Sequence, residues 1–292
     1  MTKNGEGDVS ATLQQAREKL SKGAYGAALP LFLESLKSGT IDHDPEALSD
    51  IGDCYTNLGS FNDAIEYYKK AIQLAPDSLK AHNNLGVVNF QLGRTEEAIE
   101  SFKQAIRINP DSIAHHWNLG IIYGMLKRTN EEIESYEQVV RIDPDHANAH
   151  HQLGIAYLRL SLNSQAIDSF RQVIRIQPSS AGAHVFLGAI NNQLNDYAKA
   201  GECFKQALAI DPGLAEAHCG LGMSYNHLDR FDEAIECFSL AIRNKPDYVE
   251  AHVNLGFAFL RQNDKESARR EYEILKNLNP QVAQQLLELI EM

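Results

Sequence analysis

Six of the eleven histidines stand 34 residues apart, at His82, His116, His150, His184, His218 and His252. Imidazole titrates near neutrality and is the commonest metal ligand among side chains, so a regular series raises metal binding first. The spacing argues against it. A zinc site needs several ligands about 2.0 to 2.1 Å from one ion, whereas residues 34 apart in a repeated chain are separated by a whole structural module. Only His146, His150 and His151, beside Asp145, are close enough along one helix to sketch a partial site. No metal and no cofactor is assigned. The four cysteines, Cys54, Cys203, Cys219 and Cys237, show no CxxC spacing. Cys203 and Cys237 hold the same position in neighbouring modules, where packed helices set Cα atoms roughly 8 to 10 Å apart, beyond the roughly 7 Å reach of a disulfide. All four are read as packing or surface thiols, which fits a reducing, cytoplasmic setting.

Carboxylate pairs occur at Glu96-Glu97, Glu131-Glu132 and Asp232-Glu233. Each opens a helical pattern, where the helix dipole favours negative charge without any acid–base task. Glu132 differs, because it stands where other modules carry Ala64, Ala98, Ala166, Ala200, Ala234 and Ala268. A carboxylate at a helix contact needs partners or solvent, and the expectation is that it tilts outward. No GxSxG, HExxH, Walker or dinucleotide motif is present. No catalytic residue is assigned, and the chain is read as non-enzymatic.

The elements that carry these residues follow from a second set of markers. Pro76, Pro110, Pro144, Pro178, Pro212, Pro246 and Pro280 keep the 34-residue step, as does an aliphatic-Gly pair running from Ile51-Gly52 and Leu85-Gly86 to Leu255-Gly256. An aromatic precedes each proline by eight residues: Tyr68, Phe102, Tyr136, Phe170, Phe204, Phe238 and Tyr272. Small residues flank it, as Ala98 and Ala105 flank Phe102, so each module reads as two amphipathic helices with a break such as Leu92-Gly93-Arg94-Thr95 between them. Glycine and alanine let the two helices approach, and the aromatic fills the space between them. Proline ends the second helix. The Asp that often follows, at Asp77, Asp111, Asp145 and Asp247, is placed to accept free N–H groups of the next helix.

The pattern resembles the tetratricopeptide repeat family. That resemblance implies an all-α, right-handed superhelical solenoid of helix-turn-helix repeats, with seven full repeats over residues 45–282 and a degenerate copy at 9–42 carrying Gly23, Tyr25, Ala28 and Phe32 in phase. Pro30 and the insertion His43-Asp44 depart from the family there, and Pro30 should kink its helix. The unbroken period predicts one continuous array. Residues 1–8 read as a disordered tail and 283–292 as a capping helix, with Val282, Leu286, Leu289 and Ile290 on its apolar stripe and Leu287 off it. The cap should pack near Tyr272 and Leu275, and this end is the candidate surface for homo-oligomers.

In the family, first helices line the concave side and peptides bind there. Carried onto this chain, one column is Asp50, Asn84, Asn118, Gln152, Phe186, Gly220 and Asn254, and another is Asp53, Val87, Ile121, Ile155, Ala189, Met223 and Phe257. The first is similar to the asparagine ladder in the repeat region of O-linked N-acetylglucosamine transferases, in which amides hold an extended backbone; Phe186 and Gly220 interrupt it here, and nothing resembles the glycosyltransferase domain. The second is an apolar stripe, and Trp117 lies beside it as an interface anchor. The resulting groove set is Asn84, Val87, Trp117, Asn118, Ile121, Gln152, Ile155, Asn254 and Phe257. The Lys/Arg clamp for acidic tails fails, because Ser49, Asp53 and Ala114 occupy its cationic positions.

A net charge of −12 opposes nucleic-acid binding and favours basic partners. No apolar run of about 18 residues suggests a membrane span, and the start shows no secretory apolar region. The expected function is an adaptor for a peptide or partner protein, with a self-associating structural scaffold as the alternative.

Overall fold

The structure is a computed structural model that describes residues 4–291, with side chains described for 11–291. Its helices group into two compact units, one ending at Pro144 and the other beginning at Asp145. The first holds α1 (Asn4–Ser21), α2 (Tyr25–Lys37), α3 (Pro45–Asn57), α4 (Phe61–Leu74), α5 (Leu79–Gln91), α6 (Thr95–Ile108), α7 (Ile113–Met125) and α8 (Thr129–Ile142). The second holds α9 (Ala147–Arg159), α10 (Asn163–Ile176), α11 (Ala181–Gln193), α12 (Tyr197–Ile210), α13 (Ala215–His227), α14 (Phe231–Asn244), α15 (Val249–Arg261), α16 (Lys265–Leu278) and α17 (Pro280–Glu291). No strand occurs among the described residues.

Within each repeat the two helices meet where the small and aromatic columns face one another. A Cβ built on Gly52 would stand 2.5 Å from Tyr68, and one on Gly154 would stand 2.6 Å from Phe170. Ring and glycine are therefore a single packing device: the backbone supplies the floor on which the buried ring lies. The last repeat breaks the rule. Gly256 faces Leu286 of α17, at 2.7 Å from its added Cβ, while Tyr272 is only half-buried. Leu275, Ala283, Leu286 and Ile290 form the closing core there, with Tyr272 packed against it. The apolar stripe of α17 is rotated from the expected one, because burial centres on Ala283, Leu286 and Ile290; Leu287 is half-buried and Leu289 stays 44% exposed.

The break inside each repeat is a left-handed turn. Gly59 and Gly93 have φ of 78° and 71°, and the same phase continues at Lys127, Ser161, Asn195, Asp229 and Asn263 with φ between 57° and 62°. At Gly93 the turn closes with the Arg94 N–H donating to the Asn89 carbonyl at 2.9 Å, a Schellman arrangement that satisfies the end of α5. Gly23 takes the same conformation, two residues ahead of the period, as the His43-Asp44 insertion requires.

Helix starts differ from expectation. N-caps lie two residues after the proline, at Ser78 and His146, whose side chains accept from Ala81 and Ala149 N–H groups. Asp111 and Asp145 instead receive Arg141 and Arg175 at 2.8 and 2.6 Å. Asp44 does cap, accepting from Glu46 and Ala47 ahead of α3, with Pro45 at the first helical position. α2 runs through Pro30, which leaves one ladder bond unmade while Ala28, Phe32 and Ser35 remain buried. Of the residues read as a disordered tail, 4–8 lie in α1, and 1–3 lie outside the described residues.

Candidate functional site

The histidine column is a tether. Nε2 of His82, His116, His218 and His252 donates to the carbonyl of the proline six residues earlier at 2.9, 2.8, 3.0 and 3.0 Å. A carbonyl only accepts, so the proton sits on Nε2, and these four first helices are each tied to the turn that precedes them. Among the described residues no group of three His, Cys, Asp or Glu side chains is arranged to hold a metal ion. The members of the sketched partial site have other partners: His146 caps α9, Asp145 receives Arg175, and His151 stands edge-on to Phe170 and Phe186 at 5.7 and 5.5 Å.

His252 is special, since its Nδ1 lies 2.6 Å from Glu271 Oε2. With Nε2–H given to Pro246, both ring nitrogens donate only in the imidazolium form. The Glu271 hydrogen bond accordingly holds the His252 pKa above its usual value against the opposing effect of burial.

All four cysteines are free. Burial pushes the Cys54 and Cys219 thiols up to about 12 and Cys237 up to about 11, so they stay protonated at neutral pH. Glu132 does not tilt outward: it is 3% exposed. Gly124 leaves the room, since a Cβ there would meet Glu132 Oε1 at 3.0 Å. The neighbouring Glu131 accepts from Arg128 Nε at 2.8 Å at the start of α8.

The groove set divides by what each side chain already bonds. In the first unit, Asn84 on α5 is consumed at both ends: its amide N–H donates to Asp53 Oδ1 at 2.7 Å, and its Oδ1 accepts from Asn83 at 2.8 Å. Asn83 in turn accepts from His115 Nε2 at 3.0 Å, and Asp53 also accepts from the Tyr68 hydroxyl at 2.8 Å. Lys80 closes this network, 2.5 Å from Asp50 and 2.8 Å from Asp53. Burial pushes the Asp50 carboxyl up, with Lys80 in part opposing; burial also pulls the Lys80 ammonium down, but its bonds to Asp50 and Asp53 outweigh that and hold it above its usual value. The sequence offered a hint in the acidic members Asp50 and Asp53 of the two columns, but their pairing with Lys80, Tyr68 and Asn84 needed the packing of α3 on α5.

Asn118 on α7 and Gln152 on α9 are half-buried and make no side-chain hydrogen bond among the described residues. Asn254 spends its N–H on the Glu250 carbonyl at 2.9 Å. Val87, Ile121, Ile155 and Phe257 are all half-buried; Val87 and Ile155 lean on their own repeat cores, and Phe257 belongs to the closing core with α17. Trp117 lies against Tyr136, ring centroids 5.1 Å apart.

The interruptions of the amide column are explained by rings. Phe186 stacks on Phe170 at 4.6 Å and 3°. Gly220 yields to Phe204, which a Cβ there would approach to 2.3 Å. In the space so opened lies a cavity of about 390 Å³, between Val185, Ala189 and Met223, with Glu216 and Glu250 among its lining residues.

Models of the tetratricopeptide repeat match residues 43–111 and 77–145, 151–215, 215–248 and 250–281. No curated protein sequence matches the chain significantly. Among solved structures, a tetratricopeptide repeat protein from Parabacteroides merdae is 20% identical with a TM-score of 0.54, over 85% of this chain and 99% of that one. YrrB, described as a tetratricopeptide repeat protein with an unusual peptide-binding site, is 19% identical with a TM-score of 0.56, over 64% and 96%. MamA from Desulfovibrio magneticus is 21% identical with a TM-score of 0.55, over 58% and 96%. At these identities the likeness is one of fold.

Proposed function

The chain belongs to the tetratricopeptide repeat family, and on that premise we propose that it is a non-enzymatic adaptor whose first helices hold an extended peptide or a segment of a partner protein. The observation that carries this reading is made in each unit by itself: among the described residues the amide of Asn118 in the first unit, beside the half-buried Ile121, and that of Gln152 in the second, beside the half-buried Ile155, are unspent. An amide supplies donors and an acceptor, so it can hold a main chain without reading its sequence. Asn84 does not contribute in this way, because its amide is already paired inside the protein. The peptide-binding site named for YrrB supports the same class of role. Four free thiols support a cytoplasmic setting, the net charge favours a basic partner over nucleic acid, and no described helix is long and apolar enough to cross a membrane.

The test is Asn118→Ala with Gln152→Ala in the full chain, measured against a partner captured by a photo-crosslinker at Ile121. Neither change removes an internal hydrogen bond, so the fold should be unaffected. Each lost bond to a partner is worth about 0.5 to 1.5 kcal/mol, and affinity should fall by about one decade. Unchanged affinity would sink the proposal. A second reading, self-association as a scaffold, is favoured by Ile274, Leu278 and Leu289, exposed at 41%, 37% and 44% on the last two helices; a sedimentation profile that shows a monomer at all concentrations would remove it.

A further inference from the structure

The column following Ala64 on the second helices is isoleucine at Ile65, Ile99, Ile133, Ile167 and Ile235 and arginine at Arg269, but glycine at Gly201. Glycine inside a helix is destabilising relative to alanine, so its presence asks for a reason. For the glycines of the packing column the reason is contact: a Cβ on Gly188 or Gly222 would stand 2.8 or 2.7 Å from a ring. At Gly201 that reason is missing, because an added Cβ would find only Leu221 Cδ1 at 3.6 Å and Ser224 Cβ at 4.0 Å, ordinary van der Waals contacts. What the missing side chain leaves is space. A cavity of about 500 Å³ opens over Gly201, within the range of small-molecule sites.

Its walls are apolar at Ile167, Leu187 and Leu228, and Leu228 is 42% exposed. Its charged lining is Arg171, Lys199, Lys205 and Arg230 against one carboxylate, Glu202, in a chain of net charge −12. Lys205 Nζ lies 5.9 Å and the Arg230 guanidinium 4.4 Å from the Tyr225 ring centroid, so both cations stand over one aromatic wall. Each cation has an acidic neighbour within the same turn: Asp168 for Arg171, Asp196 for Lys199, Glu202 for Lys205 and Glu233 for Arg230. These are exposed pairs, which contribute little and exchange readily for a stronger anion.

We propose that this cavity binds a small organic anion with an apolar body, an aryl or short acyl chain carrying a carboxylate, sulfonate or phosphate. The apolar part fills the volume that isoleucine fills in five other repeats, and the charged end meets Lys205 and Arg230 at the Tyr225 edge. The site is separate from the amide column and does not rest on peptide holding.

The experiment titrates the full chain with anilinonaphthalene sulfonate, followed by fluorescence, with octanoate and octanol as competitors. The wild type should show one saturable site that weakens with salt, and octanoate should displace the dye at lower concentration than octanol. G201I introduces the isoleucine of five other repeats; it should melt no lower than wild type and bind the dye at least about tenfold more weakly. The double variant K205Q/R230Q should bind about fivefold more weakly and lose much of the salt dependence. Absence of a saturable site in the wild type, equal dye binding by G201I, or equal displacement by octanol would each overturn the proposal. Should G201I fold poorly, the K205Q/R230Q and octanol comparisons decide it alone.

Discussion

One chemical change, glycine to alanine, should act with opposite sign at two buried helical positions of the second unit. At Gly154 the new methyl carbon would sit 2.6, 2.8 and 2.9 Å from three atoms of Phe170, a ring with 0% exposure. To reach an ordinary contact of 3.4 Å, ring or helix must move by about 0.8 Å. Overpacking of this kind costs about 1 to 3 kcal/mol. Alanine returns about 0.5 to 1 kcal/mol of helix propensity, which leaves Gly154→Ala destabilised by up to about 2.5 kcal/mol, with a middle value of about 1 kcal/mol. At Gly201 the nearest neighbour of the new carbon is 3.6 Å away, so only the propensity gain remains and Gly201→Ala should be more stable by about 0.5 to 1 kcal/mol. Urea unfolding followed by far-UV circular dichroism resolves this. With a slope of about 1 to 3 kcal/mol per molar urea, the midpoints should move in opposite directions by several tenths of a molar. Adding Phe170→Leu to Gly154→Ala should recover part of the loss, because the smaller side chain removes the clash, and the double-mutant cycle then reports the coupling directly. If both alanine variants shift the midpoint the same way, the assignment of the Gly154–Phe170 contact as the seam of the repeat is wrong.

The His252–Glu271 pair should make stability pH-dependent: a folded-state pKa raised above the ordinary value contributes fully below about 6.5 and is lost as pH rises through the folded value. The stability gap between wild type and Glu271→Gln should therefore be largest below about pH 6.5 and shrink as pH rises through the folded-state value; a gap that widens over that rise refutes it. Ser161, held at φ 59°, should gain up to about 1 kcal/mol as Ser161→Gly, and Asn263→Gly should gain less because asparagine tolerates the left-handed region. Leu286→Ala removes the residue that covers Gly256; it should cost about 2 to 4 kcal/mol and expose α15 to α17 to hydrogen exchange, with α9 to α12 still protected. Uniform loss of protection across the second unit would contradict nearest-neighbour coupling.

What the amino-acid order determined by itself was whatever repeats in phase. The proline step, the Leu-Gly pairs and the aromatic column specify two helices per repeat and the contact between them, because such contacts are made within about one module and small, large and helix-ending residues act locally. The break inside each repeat is legible too, as at Leu92-Gly93-Arg94-Thr95; that it is a left-handed turn, kept at Ser161 and Asn263 where no glycine marks it, came from the structure. Tertiary structure decided whatever depends on a partner from another helix. That Asn84 is spent on Asp53 while Asn118 is free, that Leu286 replaces a ring over Gly256, that Glu132 lies buried against Gly124, and that Gly201 opens a cavity while Gly154 closes a contact are matters of what stands opposite. A residue's type fixes what it can bond or fill; only the distance to its neighbours fixes whether that capacity is used inside the protein or left for something else.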